Sequence, residues 1–232
     1  PDFMNDLSFM MTLNWLYDQN PNEESLQYGL FFSDSRGMLE TISAQMPLVY
    51  DQRMVKFESE IEKSLVISYN QNSCLHVFAA DHGALNPSSR HVDPQILPFS
   101  DQDLIKLHPP QFSNWPEFFD PITTDSWCQS YQLAELAVQR GAYAEAAQLG
   151  DQAFSDGAVP QKIWELAPFI EGYGFSSRWE DALNLTAEVV ATDHRTEELL
   201  CVVWDRIESG MPESEKKQTA FTQLEEVLSC KD

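Results

Sequence analysis

Positive charge is scarce in this 232-residue sequence, which has 14 Lys and Arg against 37 Asp and Glu and a formal net charge of −23. Proteins that bind nucleic acid or anionic membranes neutralise phosphate groups with clustered Lys and Arg. The composition therefore argues against both as partners. High solubility is the plain interpretation of the acidity, and an acidic patch for a basic or metal-bearing ligand is the alternative.

Long apolar runs are also missing. No window approaches the roughly 20 apolar residues of a membrane span, and the first residues lack the basic and apolar segments of a signal peptide. Because the chain opens at Pro1 without a Met, we interpret it as a piece of a longer protein. The hydrophobic share of 43% is enough for a sizeable core in one or two domains.

Catalytic motifs are scarce as well: the sequence has no G-x-S-x-G, no H-E-x-x-H, no P-loop and no G-x-G-x-x-G. The best set of metal-type ligands is Asp81, His82, His91 and Asp93, although their spacing matches no metal motif and polar loop residues are the plainer interpretation. We predict no catalytic residue, no metal site and no cofactor. A hydrolase or metal enzyme that uses Asp81, His82 and His91 is the least favoured hypothesis.

The four cysteines, Cys74, Cys128, Cys201 and Cys230, have no C-x-x-C spacing, which disfavours zinc ribbons and thioredoxin-like redox sites. A bridge from Cys74 to Cys128 would tie a strand of the first half to the first helix of the second half. Such a bridge requires an oxidising compartment. Buried free thiols fit the spacing equally well, so both alternatives stay open.

The clearest architecture lies between Ser126 and Pro160, where two helical patterns meet at Gly141. Apolar and small residues recur at helical spacing on both sides, and the glycine supplies the turn. This stretch resembles a tetratricopeptide unit, whose pattern has Gly-x-Tyr at the turn followed by Ala, Ala and Pro. A second copy follows, with Trp179 36 positions after Tyr143, close to the period of about 34 in this repeat class.

The second copy departs from the repeat pattern at two positions. Ser177 stands where the turn glycine belongs, and Pro168 falls inside the first helix, which predicts a bent or late-starting helix there. Residues 196–207 and 214–228 predict a third helical pair with a turn at Gly210-Met211-Pro212. The sequence therefore predicts a tetratricopeptide-like helical stack over residues 123–232.

Residues 1–122 predict an α/β module. A largely buried helix is expected at 5–18, and short strands at 28–32, 54–58, 65–69 and 74–79, of which the last two form an antiparallel hairpin. The nearly continuous apolar run at 65–69 predicts a central strand. Prolines predict an ordered connection without long elements over about 80–122. The predicted fold class is α+β, a small mixed or antiparallel sheet with helices followed by the all-α stack.

Aromatic residues of the second copy are the candidate binding residues. Trp164, Phe169, Tyr173 and Trp179, together with Phe175, can line a peptide groove on the concave face of a repeat stack. Packing between the repeat helices is the more common role of such residues. The sequence leaves these two interpretations open.

Seven short segments carry a resemblance to known proteins over roughly residues 5 to 190. They are Asn5-Asp6-Leu7-Ser8, Leu13-Asn14-Trp15-Leu16-Tyr17, Tyr28-Gly29-Leu30-Phe31-Phe32, Leu65-Val66-Ile67-Ser68-Tyr69, Cys74-Leu75-His76-Val77, Trp127-Cys128 and Ala134-Glu135-Leu136-Ala137. In these segments the chain resembles the C-terminal soluble part of a group of polytopic bacterial membrane proteins related to the integral-membrane glycosyltransferases that use lipid-linked sugars.

The resemblance implies a location on the extracytoplasmic face of the bacterial membrane, attachment to a multi-span domain and a Cys74 to Cys128 bridge. It transfers no catalytic residue, because the acidic catalytic residue of that class lies in a loop of the membrane domain. We expect a non-catalytic accessory domain of a membrane glycosyltransferase-like protein that binds a protein or a glycan. The alternative is a stand-alone tetratricopeptide-type adaptor that binds peptides.

Overall fold

A computed structural model of the chain describes residues 29–30, 47–52, 55–68, 72–80, 95–105 and 127–230. Within these ranges the fold is mixed α and β, with six α-helices and two two-stranded antiparallel sheets. The described residues divide into two units. The sheet unit contains 29–30, 47–52, 55–66, 78–80 and 95–105; the helical unit contains 67–68, 72–77 and 127–230. The helical unit thus includes part of the segment that the sequence analysis assigned to the module at 1–122.

The sheet unit is built on strands β1 (Pro47–Gln52) and β2 (Val55–Glu60). They pair antiparallel, with Pro47 opposite Glu60. The sheet unit has a small core of its own, formed by Val66, Phe78 and Leu97. The Ser100 hydroxyl connects two of these residues, because it accepts a hydrogen bond from the Val66 amide at 3.0 Å and donates one to the Phe78 carbonyl. The sequence predicted β2 but missed β1.

Strands β3 (Ile67–Ser68) and β4 (His76–Val77) pair antiparallel in the helical unit. This pairing confirms the predicted hairpin, but the predicted central strand at 65–69 is wrong. The strand is only two residues long, and Ile67 is 37% exposed. The apolar run misled the prediction because Val66 packs into the core of the sheet unit, so the run does not form one continuous buried strand.

Several predictions for the first half fall outside the described residues. These are the helix at 5–18, most of the connection at 80–122, and the residues Asp81, His82, His91 and Asp93. Of the predicted strand at 28–32, Gly29 and Leu30 are described, and neither belongs to a strand.

The helical unit contains helices α1 (Trp127–Gln139), α2 (Tyr143–Ser155), α3 (Ala167–Phe175), α4 (Trp179–Thr192), α5 (Glu197–Gly210) and α6 (Glu215–Val227). Helix α3 is central and packs against α1, α2, α4 and α5, whereas α6 packs against α4. Seven of the nine residues of α3 are buried, as expected for a helix surrounded by others. Pro168 lies in its first turn, which confirms the predicted late start.

Close approach between α2 and α3 depends on Gly172. A Cβ at this position would lie 2.9 Å from both the Ala147 backbone nitrogen and the Ala146 Cβ. Since backbone atoms cannot move aside cheaply, only glycine fits here without separating the two helices. Ala146 and Ala147 of α2 therefore lie at the surface that packs against α3.

Helices α1 and α3 end in the same way. Gly141 and Ser177 both have positive φ, 72° and 59° respectively. In each case the next amide donates to a carbonyl five residues before it, Ala142 to Ala137 at 2.8 Å and Arg178 to Tyr173 at 2.9 Å. This is a Schellman motif, in which a left-handed residue ends the helix. Ser177 therefore takes the same left-handed conformation as Gly141.

Exchanging glycine and serine between these two turns should change stability in opposite directions. A non-glycine residue in the left-handed region is strained by about 1 kcal/mol. We expect Ser177→Gly to raise the free energy of unfolding by about 1 kcal/mol, and Gly141→Ser to lower it by a similar amount. No heavy atom lies within 4 Å of a Cβ at Gly141, so its cost is conformational. Urea unfolding of both variants is the measurement, and destabilisation by Ser177→Gly would contradict the prediction.

All four cysteines form disulfides, Cys74 with Cys128 and Cys201 with Cys230. The first joins the segment before β4 to α1, and it is one of the two alternatives that the sequence left open. The second joins the segment after α6 to α5. Both bonds cross-link elements within the helical unit.

A fully buried carboxylate, Glu165, lies beside the first disulfide. One of its oxygens accepts from the Cys74 amide at 2.9 Å. The other accepts from the Trp127 indole at 2.7 Å and from the amides of Gln161 and Lys162 at 2.9 and 3.2 Å. These donors lie in three separate parts of the chain: the segment at 72–77, the start of α1, and the residues just before α3. Glu165 therefore holds the three parts together.

Candidate binding site beside helix α4

One face of α1 is already covered by residues of the same chain. Gln132 and Gln139 donate side-chain hydrogen bonds to the Leu75 and Val77 carbonyls at 3.2 and 2.9 Å. His76 is buried, and its Nδ1 lies 3.1 Å from the Tyr131 hydroxyl. This face of α1 is therefore covered by the segment at 75–77 and is not open to a ligand.

His76, Tyr131 and Glu135 form a buried polar cluster. The Tyr131 hydroxyl donates to a Glu135 carboxylate oxygen at 2.7 Å, and the same oxygen contacts His76 Nδ1. The side chains of His76 and Glu135 are 5% and 12% exposed. Because the three groups bond one another across β4 and α1, their evident effect is to attach the strand to the helix.

The four predicted binding residues do not meet on one surface. Phe169 is fully buried and packs against the Trp127 ring at 5.4 Å, so it belongs to the core. Trp164 is half-buried, with its ring edge-on to Tyr131 at 6.0 Å. Tyr173 and Trp179 line two neighbouring grooves, the α2/α4 groove and the α4/α6 groove, and Asn184 lines both. Helix α4 separates these grooves.

The α2/α4 groove has a volume of about 250 Å³ and contains an ion pair network centred on Arg178. The Arg178 guanidinium donates to both oxygens of Asp151 at 2.6 and 2.9 Å, and to Asp181 at 2.8 Å. It also lies 4.3 Å above the centre of the Tyr173 ring, within the range of a cation–π contact. The carboxylates of this groove are thus already engaged by a cation of the chain itself.

The network fixes the protonation of its members. Hydrogen bonds from Arg178, with a further one from Tyr173, lower the pKa of Asp151, while the Asp151 hydrogen bonds raise the pKa of Arg178. Burial, together with the hydrogen bond that it donates to Asp151 at 2.9 Å, raises the pKa of Tyr173. Asp151 and Arg178 therefore stay charged and Tyr173 keeps its proton at neutral pH. None of the three is therefore an available general base or nucleophile at neutral pH.

The Asp151 pair should stabilise the protein only above acidic pH. Since the pKa of Asp151 is lower in the folded state, its contribution is present above the unfolded pKa of about 3.9 and is lost as pH falls through the folded value. We expect Asp151→Asn to lower the free energy of unfolding by up to about 1 kcal/mol at pH 7, because the pair is half exposed.

At pH 2 the same substitution should have little effect. Urea unfolding of both proteins at pH 7 and pH 2 measures the difference, and an equal loss at both pH values would contradict the assignment. Tyr173→Phe is the matched variant for comparison with Asp151→Asn. It removes one hydrogen bond to Asp151 but keeps the ion pair between Asp151 and Arg178.

The α4/α6 groove is larger, about 650 Å³, which is within the usual range for ligand sites. Trp179, Leu183 and Ala220 form its apolar part, and its polar lining residues are Glu180, Asn184, Glu215, Lys216, Thr219 and Gln223. The Trp179 ring rests near Phe221 at 6.4 Å, and Phe221 packs edge-on against the buried Trp204 at 5.4 Å. These aromatic contacts support Trp179 from the core side.

Helix α6 is held in place at its start by Lys217. This lysine is 3% exposed and donates to the Glu208 and Met211 carbonyls at 2.7 and 2.9 Å. It thereby satisfies carbonyl groups at the end of α5 that the helix itself leaves open. The α6 wall of the groove is positioned by a buried charge and not by a flexible surface contact.

Sequence reasoning missed the charged residues of both grooves. Asp151 and Arg178 lie 27 positions apart, and no local pattern connects them. Glu180 and Glu215 were detectable in principle, because each stands in the first turn of its helix.

The described part of the chain contains neither a cluster of metal-type ligands nor a helix suited to crossing a membrane. Across residues 29–30, 47–52, 55–68, 72–80, 95–105 and 127–230, no three His, Cys, Asp or Glu side chains are grouped to hold a metal ion. No helix in these ranges has the length and apolar character needed to cross a bilayer. Asp81, His82 and His91 lie outside them.

No protein-family model matches the chain, and neither a curated protein nor a solved structure is significantly similar to it.

Proposed function

We propose that the chain is a non-catalytic, extracytoplasmic binding module whose helices form tetratricopeptide-like repeats, and that it binds a protein partner beside helix α4. The recurrence of equivalent turn and core positions 36 residues apart carries this proposal. Gly141 and Ser177, at this spacing, both have positive φ and end their helices with equivalent hydrogen bonds. The helix ending alone is less specific, because it also occurs at Gly157, where Ala158 donates to the Ala153 carbonyl at 2.9 Å. Repeating helical pairs build extended surfaces that bind proteins.

Buried positions recur with the same period. Ala146 in α2 and Ala182 in α4 are both fully buried, and so are Ala153 and Val189 at 2% and 0% exposure. Each pair is separated by 36 positions. Equivalent positions of α2 and α4 therefore face the core, which leaves equivalent outer faces for the grooves on either side of α4.

The disulfides support a location outside the cytoplasm. All four cysteines are bonded in pairs, and disulfides form and persist in oxidising compartments. The acidic charge of −23 suits an exposed surface. Attachment to a multi-span, glycosyltransferase-like protein belongs to the proposal as well, and the sequence resemblance is its support.

Cross-linking in the native cells tests the binding function. A photo-reactive amino acid at Thr219, on the rim of the α4/α6 groove, should give a discrete adduct with a protein. The same residue at position 225 of α6 should not, because Glu225 is exposed, does not line the groove, and lies about 120° around the helix axis from Thr219 at about 100° per residue. Equal adducts from both positions, or none from Thr219, would contradict the proposal. An adduct with a glycan would show that the partner is a sugar and not a protein.

Thiol labelling tests the compartment. If the chain is extracytoplasmic, its cysteines should react with a maleimide in the denatured protein only after reduction. Labelling without reduction, in protein taken directly from the cells, would place the chain in a reducing compartment.

A further inference from the structure

We propose that the α4/α6 groove takes a basic amphipathic helix of the partner, with an apolar side chain against Trp179 and basic side chains beside Glu180 and Glu215. The inference rests on the proposed function, since it names the class of partner for the same surface. Two helices flank the groove, and an apolar strip with a polar rim is the form of a helix-binding groove.

Charge decides which helix fits. Glu180 and Glu215 line the groove and are exposed, and among the residues that the structure describes neither carboxylate forms a salt bridge with Lys or Arg. The basic residue in the described lining is Lys216. A partner with two or more basic side chains would form ion pairs with the Glu180 and Glu215 carboxylates, whereas an acidic partner would be repelled by them.

In the α2/α4 groove, a similar combination of carboxylates and an aromatic ring already holds a cation of the chain. There, two carboxylates and an aromatic ring hold the Arg178 guanidinium, with hydrogen bonds to Asp151 and Asp181 and the Tyr173 ring 4.3 Å away. The α4/α6 groove also has an aromatic ring, Trp179, and two carboxylates. A guanidinium or ammonium group from a partner would complete this groove as Arg178 completes the other.

Other occupants fit the charges less well. A second copy of the chain would bring a further net charge of −23, which opposes self-association. Nucleic acid and anionic membranes are repelled for the same reason. A basic protein segment is the occupant that both the apolar strip and the acidic rim favour.

Two synthetic peptides of equal length and identical leucine spacing provide the test, one with Lys and one with Glu at every polar position. Binding is followed by ¹⁵N NMR of the oxidised protein. The Lys peptide should shift the Trp179 indole N–H and the Asn184 side-chain amide, and its affinity should fall as salt is added. The Glu peptide should shift neither. Equal binding of both peptides, or shifts confined to other surfaces, would overturn the proposal.

Charge variants sharpen the test in both directions. Glu180→Lys and Glu215→Lys should each weaken binding of the Lys peptide by about tenfold, and Lys216→Glu should strengthen it by a similar factor. Glu225→Lys makes the same charge change at an exposed position of α6 that does not line the groove, and it should change affinity less than about twofold. An equal effect of Glu225→Lys would show only general attraction to an acidic protein and would also overturn the proposal.

The two experiments separate the two proposals. If cross-linking at Thr219 captures a partner but neither peptide binds, the class of partner is wrong and the binding function stands. If the Lys peptide binds as expected but Thr219 gives no adduct in cells, the chemistry of the groove stands and the proposed function fails.

Discussion

Replacing Glu165 by Ala is expected to lower the free energy of unfolding by at least about 3 kcal/mol. The substitution removes the acceptor of four hydrogen bonds in a fully buried position. The Trp127 indole and the Cys74 amide would then be left in the core without this partner, and each such buried donor costs about 1–3 kcal/mol. Urea unfolding of the oxidised protein is the measurement.

Two further variants show whether the loss comes from the hydrogen bonds. Glu165→Gln keeps the size and one acceptor oxygen, so its cost should fall below that of Glu165→Ala. Glu198→Ala, at an exposed position of α5, should change stability by less than about 0.5 kcal/mol. If Glu165→Ala cost no more than Glu198→Ala, the hydrogen bonds of Glu165 would contribute nothing to stability.

Removing the Cys74–Cys128 disulfide in the double variant Cys74→Ala/Cys128→Ala should cost about 4 kcal/mol. The bond spans 54 positions, and a cross-link over a loop of this size restricts the unfolded chain by about that amount. The loss should be seen as a lower urea midpoint with a similar or larger m value.

The second disulfide is the matched control. Cys201–Cys230 spans 29 positions, so Cys201→Ala/Cys230→Ala should cost slightly less, about 3.5 kcal/mol. The difference in the free energy of unfolding should increase further, because Cys74 is 2% exposed and the loss of its sulfur leaves a cavity in the core, whereas Cys230 is exposed. A loss below about 1 kcal/mol for the Cys74 pair would contradict this account.

The helices of the second half could be predicted because their signals are local. Apolar residues at helical spacing predicted α1, α2 and α4, and Pro168 predicted the late start of α3. Gly141 was placed correctly at a turn. Such features depend on residues within a few positions of one another, so one sequence is enough to find them.

Features that depend on distant residues could not be predicted in this way. Glu165 meets Cys74 across 91 positions, and Arg178 meets Asp151 across 27. The sequence contains both residues of each pair, but no local pattern shows that the fold brings them into contact. The same reason explains why the predicted central strand at 65–69 is wrong, since burial is set by non-local contacts. Strand β1 was missed although its pairing is local, with Gln52 opposite Val55. Ser177 shows a subtler failure, because the structure keeps a turn that the residue type argued against.

The Cys74–Cys128 bond also closes the chain into a covalent ring. The ring contains residues 78–80 and 95–105 of the sheet unit, while both of its ends are anchored in the helical unit. A protease that cuts any single peptide bond between Cys74 and Cys128 therefore leaves one molecule, and its two fragments separate only after reduction. A nicked chain would migrate as two pieces on a reducing gel and as one species without reductant.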